Sequence, residues 1–431
     1  MICENLTNEN GILHIGGVSV KDLVEEYGTG LYIMDEDRIR TKCRMYTRAM
    51  KKYFAGKAMA CYASKAASFK RIYQIVSEEG MGVDVVSSGE IYTALKAGIS
   101  LDHAAFHSNN KTDWDIRFAM ENNIGYFVVD NREELDAINA VAKEMGKVQN
   151  ILLRLTPGID PHTFAAVATG KVDSKFGTSI ETGQAKEQTD YALSLKNIHL
   201  TGFHCHVGSQ VFDSDVFIDA AKIMLAFIAE VNKDLGYEAS VLDLGGGFGV
   251  RYTEDDPYLD IDTEISRLAD VIHGECAKHS LEVPEIWMEP GRSIVADAGI
   301  TVYTVGTVKR IPGYKNYVSI DGGMTDNPRY ALYRSRYTVL AAEKLDEPCD
   351  FRCSLVGRCC ESGDIIQEDI LLPSSVQRGD LVAVCTTGAY NYAMASNYNR
   401  IARLPIVMVK DGKSYLAVRR ESLEDIVRND V

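Results

Sequence analysis

Lys65 stands in the run Ala58-Met59-Ala60-Cys61-Tyr62-Ala63-Ser64-Lys65-Ala66, an apolar stretch of strand length with no other charge. An ammonium buried there without a partner is costly, and loss of its proton leaves a nucleophilic amine that can form a Schiff base with a carbonyl. The competing reading ends the strand at Tyr62 and lets Lys65 reach water from an apolar stem. Three other segments carry chemistry. Asp243-Leu244-Gly245-Gly246-Gly247-Phe248-Gly249 follows an apolar run, and its glycines let backbone N–H groups close on an anion such as a phosphate. It has neither the Gly-x-Gly-x-x-Gly pattern with a clear following helix nor the lysine of a nucleotide-triphosphate loop. Glu289-Pro290-Gly291-Arg292 sets a carboxylate beside a guanidinium. His204-Cys205-His206-Val207-Gly208-Ser209 puts two histidines at i, i+2 on one face of a strand, a pattern zinc uses, but no third ligand is evident and no metal is expected.

Together these residues fit one cofactor, pyridoxal 5'-phosphate. It needs an amine for its aldehyde, a carboxylate to keep its pyridine nitrogen protonated, donors for its phosphate and a flat group against its ring. Lys65, Glu289, the Gly245 to Gly247 turn with Arg292, and His206 supply these in that order. A carboxylate at the ring nitrogen makes the ring a strong electron sink, which suits carbanion chemistry.

Residues so far apart in sequence need a scaffold to gather them. From about residue 31 to 296 short apolar runs (125–130, 151–155, 200–204, 241–244, 286–289) alternate with helical periodicity, as in 217–235 and 265–279. Repeated βα units imply a parallel sheet, and this many predict a closed (β/α)8 barrel over residues 33–295, with an open doubly wound sheet as the alternative. Several of these strands end in Asp130, Arg154, His204, Asp243 or Glu289, and a barrel brings such ends to one mouth. Beyond residue 300 the texture turns β-rich: 301–309, 316–321, 351–356, 381–384, and a hairpin over 406–418 turning at Asp411-Gly412. Residues 1–32 and 296–431 are therefore expected to form a second, antiparallel β domain, with 12–20 as one of its strands.

The 431 residues, 46% of them hydrophobic, suffice for two cored domains. A net charge of -15 disfavours nucleic acid as a partner. No apolar run approaches the roughly 20 residues that span a bilayer, and the first residues lack a signal-peptide pattern, so no membrane association and a cytoplasmic location are expected. Ten cysteines are scattered without metal-type spacing, and adjacent Cys359-Cys360 argues against zinc and against a Cys-x-x-Cys couple. A small metabolite is the expected partner.

From Tyr62-Ala63-Ser64-Lys65-Ala66 to Gly388-Ala389-Tyr390 the order and spacing of motifs resembles the fold-type III pyridoxal-phosphate decarboxylases, the family with an alanine-racemase-like barrel. The resemblance implies that Lys65 is the Schiff-base lysine, that His206 stacks on the ring and that Glu289 pairs with its nitrogen. It further implies that Ser209, Gly246, Gly247 and Arg292 bind the phosphate, Arg292 also lying near substrate, with Asp84 and Arg154 in a second layer around the ring. Val356-Gly357-Arg358-Cys359-Cys360-Glu361-Ser362-Gly363-Asp364 resembles the Cys-Glu-Ser-x-Asp loop of members that convert meso-2,6-diaminopimelate to L-lysine and carbon dioxide, a loop donated across a homodimer interface. Ornithine-type members carry Cys-Asp there, so Glu361 discriminates. By the same resemblance Arg329 and Tyr333 hold a distal carboxylate, Glu361 a distal ammonium, and Tyr390 reaches cofactor or substrate; Cys360 could return the proton after carbon dioxide leaves. Two positions depart from the pattern, Arg358 and Tyr330, where proline is common. Alternatives are a decarboxylase of carboxynorspermidine, ornithine or arginine, and a non-catalytic binding homologue, against which an intact Lys65 stands.

Overall fold

A computed structural model describes residues 1–159 and 173–431. The chain divides into two compact units, one of Lys42–Gly249 with Leu259–Ser293, the other of Met1–Thr41, Val250–Tyr258 and Ile294–Val431.

The first unit is a parallel barrel. Its strands are Ala58–Ala63, Gly82–Val85, Ala104–Phe106, Tyr126–Val129, Gln149–Thr156, Ile198–His204, Val241–Asp243 and Glu285–Met288, each paired with the next, and the last closes on the first with Trp287 opposite Met59. A two-residue strand, Thr178–Ser179, adds to Gln149–Thr156. Polar residues just after the strands start the covering helices. Ser87 accepts from the Glu90 N–H, Asn131 from that of Glu134, and Thr112 forms a capping box with Asp115. Inside the barrel Cys61, Ala105, Val128, Leu152, Val241 and Trp287 form an apolar cluster, with Tyr126 edge-on to Trp287 at 4.8 Å. This filling leaves the polar residues to the C-terminal strand ends.

The second unit corrects the antiparallel expectation, because its nine-stranded sheet is mixed. Lys315–Ile320 runs parallel to Cys349–Val356, and Leu31–Asp35 parallel to Ile406–Lys410. Neither pair is joined by a tight turn. Long excursions separate the partners in sequence, so nothing forces the antiparallel sense that a hairpin imposes. The segment 12–20 is likewise not one strand: Gly16 and Gly17, both at positive φ, turn Ile12–Ile15 back onto Val18–Ser19, and Ser19 then caps the helix Val20–Tyr27. With Leu6–Glu9 these two strands make a separate three-stranded sheet. Leu13, Ile15, Leu23, Ile33, Val302 and Val407 belong to this unit's apolar core. Among the described residues no helix is long and apolar enough to cross a membrane.

Candidate active site

Lys65 lies in a single 3-10 turn, Ser64–Ala66, directly after the strand Ala58–Ala63. The expectation of an unpaired, buried ammonium is corrected here. Its side chain is 40% exposed, and Nζ lies 3.7 Å from Asp84 Oδ2, contributed by the neighbouring strand. Asp84 itself is fully buried; burial raises its pKa, against the lowering pull of His107 and Lys65. Arg154, at the end region of its own strand, is buried with its guanidinium over the Phe176 ring and Nε 4.0 Å from Asp130.

The glycine turn is built so closely that no side chain fits. A Cβ on Gly246 would lie 2.0 Å from the Glu289 carbonyl oxygen, and one on Gly247, at φ +123, 2.0 Å from that of Gly208. The Gly246 N–H points to His206 Nδ1 at 3.3 Å. Burial, then the nearby positive charge of Lys65, holds His206 well below the ordinary histidine pKa, which leaves a neutral flat ring at the mouth. Arg292 Nη2 donates to Ser209 Oγ at 3.0 Å. Backbone N–H groups, a hydroxyl and a guanidinium thus share one corner, the donor set a phosphate requires.

Glu289 is 5% exposed and is met by two histidines, His107 Nε2 at 2.7 Å from Oε1 and His204 Nε2 at 3.4 Å from Oε2. Burial alone would raise its carboxyl, but the two histidines outweigh this and hold it well below the usual carboxylate range. Oε1 nevertheless has no aligned hydrogen-bond donor among the described residues, an acceptor that suits a pyridinium N–H. His204, considered above for zinc, serves this carboxylate instead of pairing with His206. Sequence reasoning missed His107 altogether; the signal was the apolar Ala104-Ala105-Phe106 ending in a histidine, the same pattern as the other strand ends.

The second unit holds the remaining residues. Arg329 opens the short helix Arg329–Tyr333, is 7% exposed, and has its guanidinium 5.1 Å from the Tyr333 ring centroid and 5.3 Å from that of Tyr390. Among the described residues no carboxylate pairs with it, and its Nε has no hydrogen-bond partner. Cys360 and Glu361 are exposed; Glu361 accepts from the Gly363 N–H at 3.1 Å, and no hydrogen bond or ion pair links it to Arg329. The loop is held by Asp364, whose Oδ1 accepts from Met324 N–H at 2.6 Å and Oδ2 from Cys359 N–H at 2.7 Å. The two departures have local accounts: Tyr330 is buried with its hydroxyl donating to Glu368 at 2.7 Å, and exposed Arg358 reaches the Asp321 carbonyl at 3.5 Å.

Residues 36–296 match the family model for the pyridoxal binding domain of pyridoxal-dependent decarboxylases. The chain is 45% identical to the diaminopimelate decarboxylase of Bacillus subtilis (strain 168) over 425 residues, 98% of this chain and 96% of that relative. It is 44% identical to that of Staphylococcus aureus (strain COL), with 98% of each covered. Among solved structures, the diaminopimelate decarboxylase of M. jannaschii in complex with L-lysine matches with a TM-score of 0.92 at 33% identity, covering 100% of this chain and 98% of that one.

Proposed function

This chain is a member of the diaminopimelate decarboxylase family, and from that premise we propose that it removes one α-carboxylate of meso-2,6-diaminopimelate to give L-lysine and carbon dioxide, using pyridoxal 5'-phosphate. The observation that carries the substrate reading is Arg329. A buried guanidinium without a carboxylate is costly, and a substrate with a second amino acid centre supplies the missing anion. Ornithine or lysine, with only a distal amine, would leave it unpaired.

Bound at the barrel mouth, the cofactor supplies an electron sink for the electrons released as the carboxylate leaves. In this reading Lys65 binds its aldehyde, with Asp84 holding the lysine in place and Arg154 fixing the far side of the ring pocket. His206 covers the ring. Gly246, Gly247, Ser209 and Arg292 take the phosphate, the last also steering the reacting carboxylate. Glu289 keeps the ring nitrogen protonated. Arg329 and Tyr333 grip the distal carboxylate, Tyr390 closes on cofactor or substrate, and Glu361 receives the distal ammonium. Cys360 Sγ hands a proton to the α-carbon after decarboxylation.

The exposed Cys360-Glu361 loop supports a homodimer in which each protomer's loop completes its partner's site. A biosynthetic reaction on a free amino acid supports a cytoplasmic location. The first test is lysine formation from meso-diaminopimelate by protein loaded with pyridoxal phosphate, with ornithine as control. Bound cofactor without lysine would overturn the substrate assignment. For the shared site, equal amounts of Lys65→Ala and Cys360→Ala protein, exchanged into mixed dimers, should recover roughly a quarter of wild-type activity, because half the dimers then carry one intact site. No recovery counts against sharing.

A further inference from the structure

We propose that His107 is a positioning residue that sets the Glu289 carboxylate toward the cofactor's ring nitrogen by standing between it and Asp84. The inference rests on the reading above in which Glu289 meets that nitrogen. His107 is 4% exposed, and its Nε2 lies 2.7 Å from Glu289 Oε1 and 3.6 Å from Asp84 Oδ1, close enough for charge attraction though neither contact is an aligned hydrogen bond. These carboxylates come from two different strand ends, and without the imidazole between them they would repel across a buried, low-dielectric gap. His204 fixes the other side: its ring packs edge-on to that of His107 at 4.9 Å and 71°, and its Nε2 approaches Oε2 of the same carboxylate.

The backbone that presents His107 is itself held in an uncommon state. The His107 N–H donates to the Val85 carbonyl at 2.8 Å. Ser108 follows at φ +141, a conformation that residues with a side chain rarely adopt. Its carbonyl accepts from Lys111 Nζ at 3.2 Å, and the same ammonium donates to the Val128 carbonyl at 2.8 Å and to Glu134 Oε1 at 2.6 Å. The Lys111 side chain is 0% exposed. A buried lysine clamping an unusual turn directly after the histidine points to a requirement on where that ring sits. With an apolar residue in its place, Glu289 and Asp84 would compete for a proton. A protonated Glu289 no longer supports a protonated ring nitrogen, and the electron sink weakens.

The experiment compares holoenzymes of the wild type, His107→Leu, His107→Gln and Glu289→Gln, each loaded with cofactor carrying 15N at the ring nitrogen. The 15N resonance reports ring protonation directly, and steady-state rates are measured on the same samples. In His107→Leu the resonance should move toward the unprotonated position, as in Glu289→Gln, and kcat should fall roughly 10- to 100-fold, the scale for outer partners of functional ligands, with KM unchanged. His107→Gln, which keeps an N–H donor, should recover part of both. If His107→Leu does not fold, His107→Asn carries the same expectation, because its amide is too short to bridge the two carboxylates. A wild-type resonance in the His107 variants, with a shifted one in Glu289→Gln, overturns the role of His107 and leaves Glu289 standing. An unshifted resonance in Glu289→Gln overturns the reading beneath it.

Discussion

Substitution of Asp364 by Asn isolates the loop chemistry from the cofactor. Asp364 is 3% exposed, and its two oxygens accept from the Met324 and Cys359 N–H groups at 2.6 and 2.7 Å. Those residues lie in the two loops that carry Arg329 and Cys360. Gly323 and Gly357 exist here for space, since a Cβ on either would lie 2.6 or 2.2 Å from Asp364 Oδ2. A hydrogen bond to a charged acceptor is worth about 1.5–3 kcal/mol, and an orphaned buried donor costs a similar amount. Asn keeps the shape and one acceptor but turns its NH2 toward the other N–H, so one bond is lost and two donors face each other. A loss of about 2–3 kcal/mol corresponds to roughly a 30- to 150-fold fall in kcat/KM. Lysine formation from meso-diaminopimelate measures it, beside the cofactor's visible absorbance, which should not change because the residues proposed for the ring and the phosphate belong to the barrel. Wild-type kcat/KM in Asp364→Asn, or a loss that tracks lost cofactor, would refute the clasp.

Gly246→Ala should abolish cofactor retention on dialysis while the far-ultraviolet spectrum stays native, because its Cβ would stand 2.0 Å from the Glu289 carbonyl oxygen; stoichiometric cofactor in the variant would remove the cradle. Arg329→Lys keeps the charge but not the planar fork, and KM for meso-diaminopimelate should rise roughly tenfold or more; an unaltered KM would remove Arg329 from the substrate site. Burial pushes the Asp326 carboxyl up to about 7 from 3.8. The folded state thus holds a proton that the unfolded chain has released, so this stabilising contribution is full below about pH 4 and is lost as pH rises through about 7. Denaturant midpoints of Asp326→Asn should be flatter than wild type over that window, and parallel slopes would contradict it.

What could be read without coordinates was whatever local pattern carries. Alternating apolar runs and helical periodicity specify a barrel, and strand-end residues such as Arg154 and Glu289 identify its mouth, because in a closed parallel sheet those ends share one rim. What could not be read depends on lateral register. That Asp84 stands beside Lys65 follows from the pairing of Ala63 with Asp84 across adjacent strands. The three-residue strand Ala104–Phe106 is too short for a period, so the histidine at its end went unnoticed. The parallel pairings of the mixed sheet join segments separated by long excursions, as Leu31–Asp35 with Ile406–Lys410, where no turn signal reaches. Asp364 belonged to a motif, yet its clasp needs two glycines from different loops.

Among the described residues the barrel mouth gathers four buried carboxylates, Asp84, Asp130, Asp243 and Glu289, and their different surroundings decide which of them stays charged. Asp243 is pushed well above the ordinary range by burial and then by the charge of Glu289, while burial also raises Asp84 and Asp130. Glu289 alone moves the other way, because His107 and His204 both lie against it. Equal carboxylates in so small a volume would share protons indiscriminately; two histidines aimed at one of them place the negative charge on Glu289, the residue proposed above for the pyridine nitrogen. The glycine turn adds to this selection. The Gly245 N–H donates to Asp243 Oδ1 at 2.8 Å, so the turn proposed to cradle a phosphate also ties down the carboxyl beside Glu289. With Glu289 at the ring nitrogen as proposed, moving either histidine should change that nitrogen's proton without touching the phosphate corner, so that cofactor affinity and cofactor electronics are separately adjustable in this site.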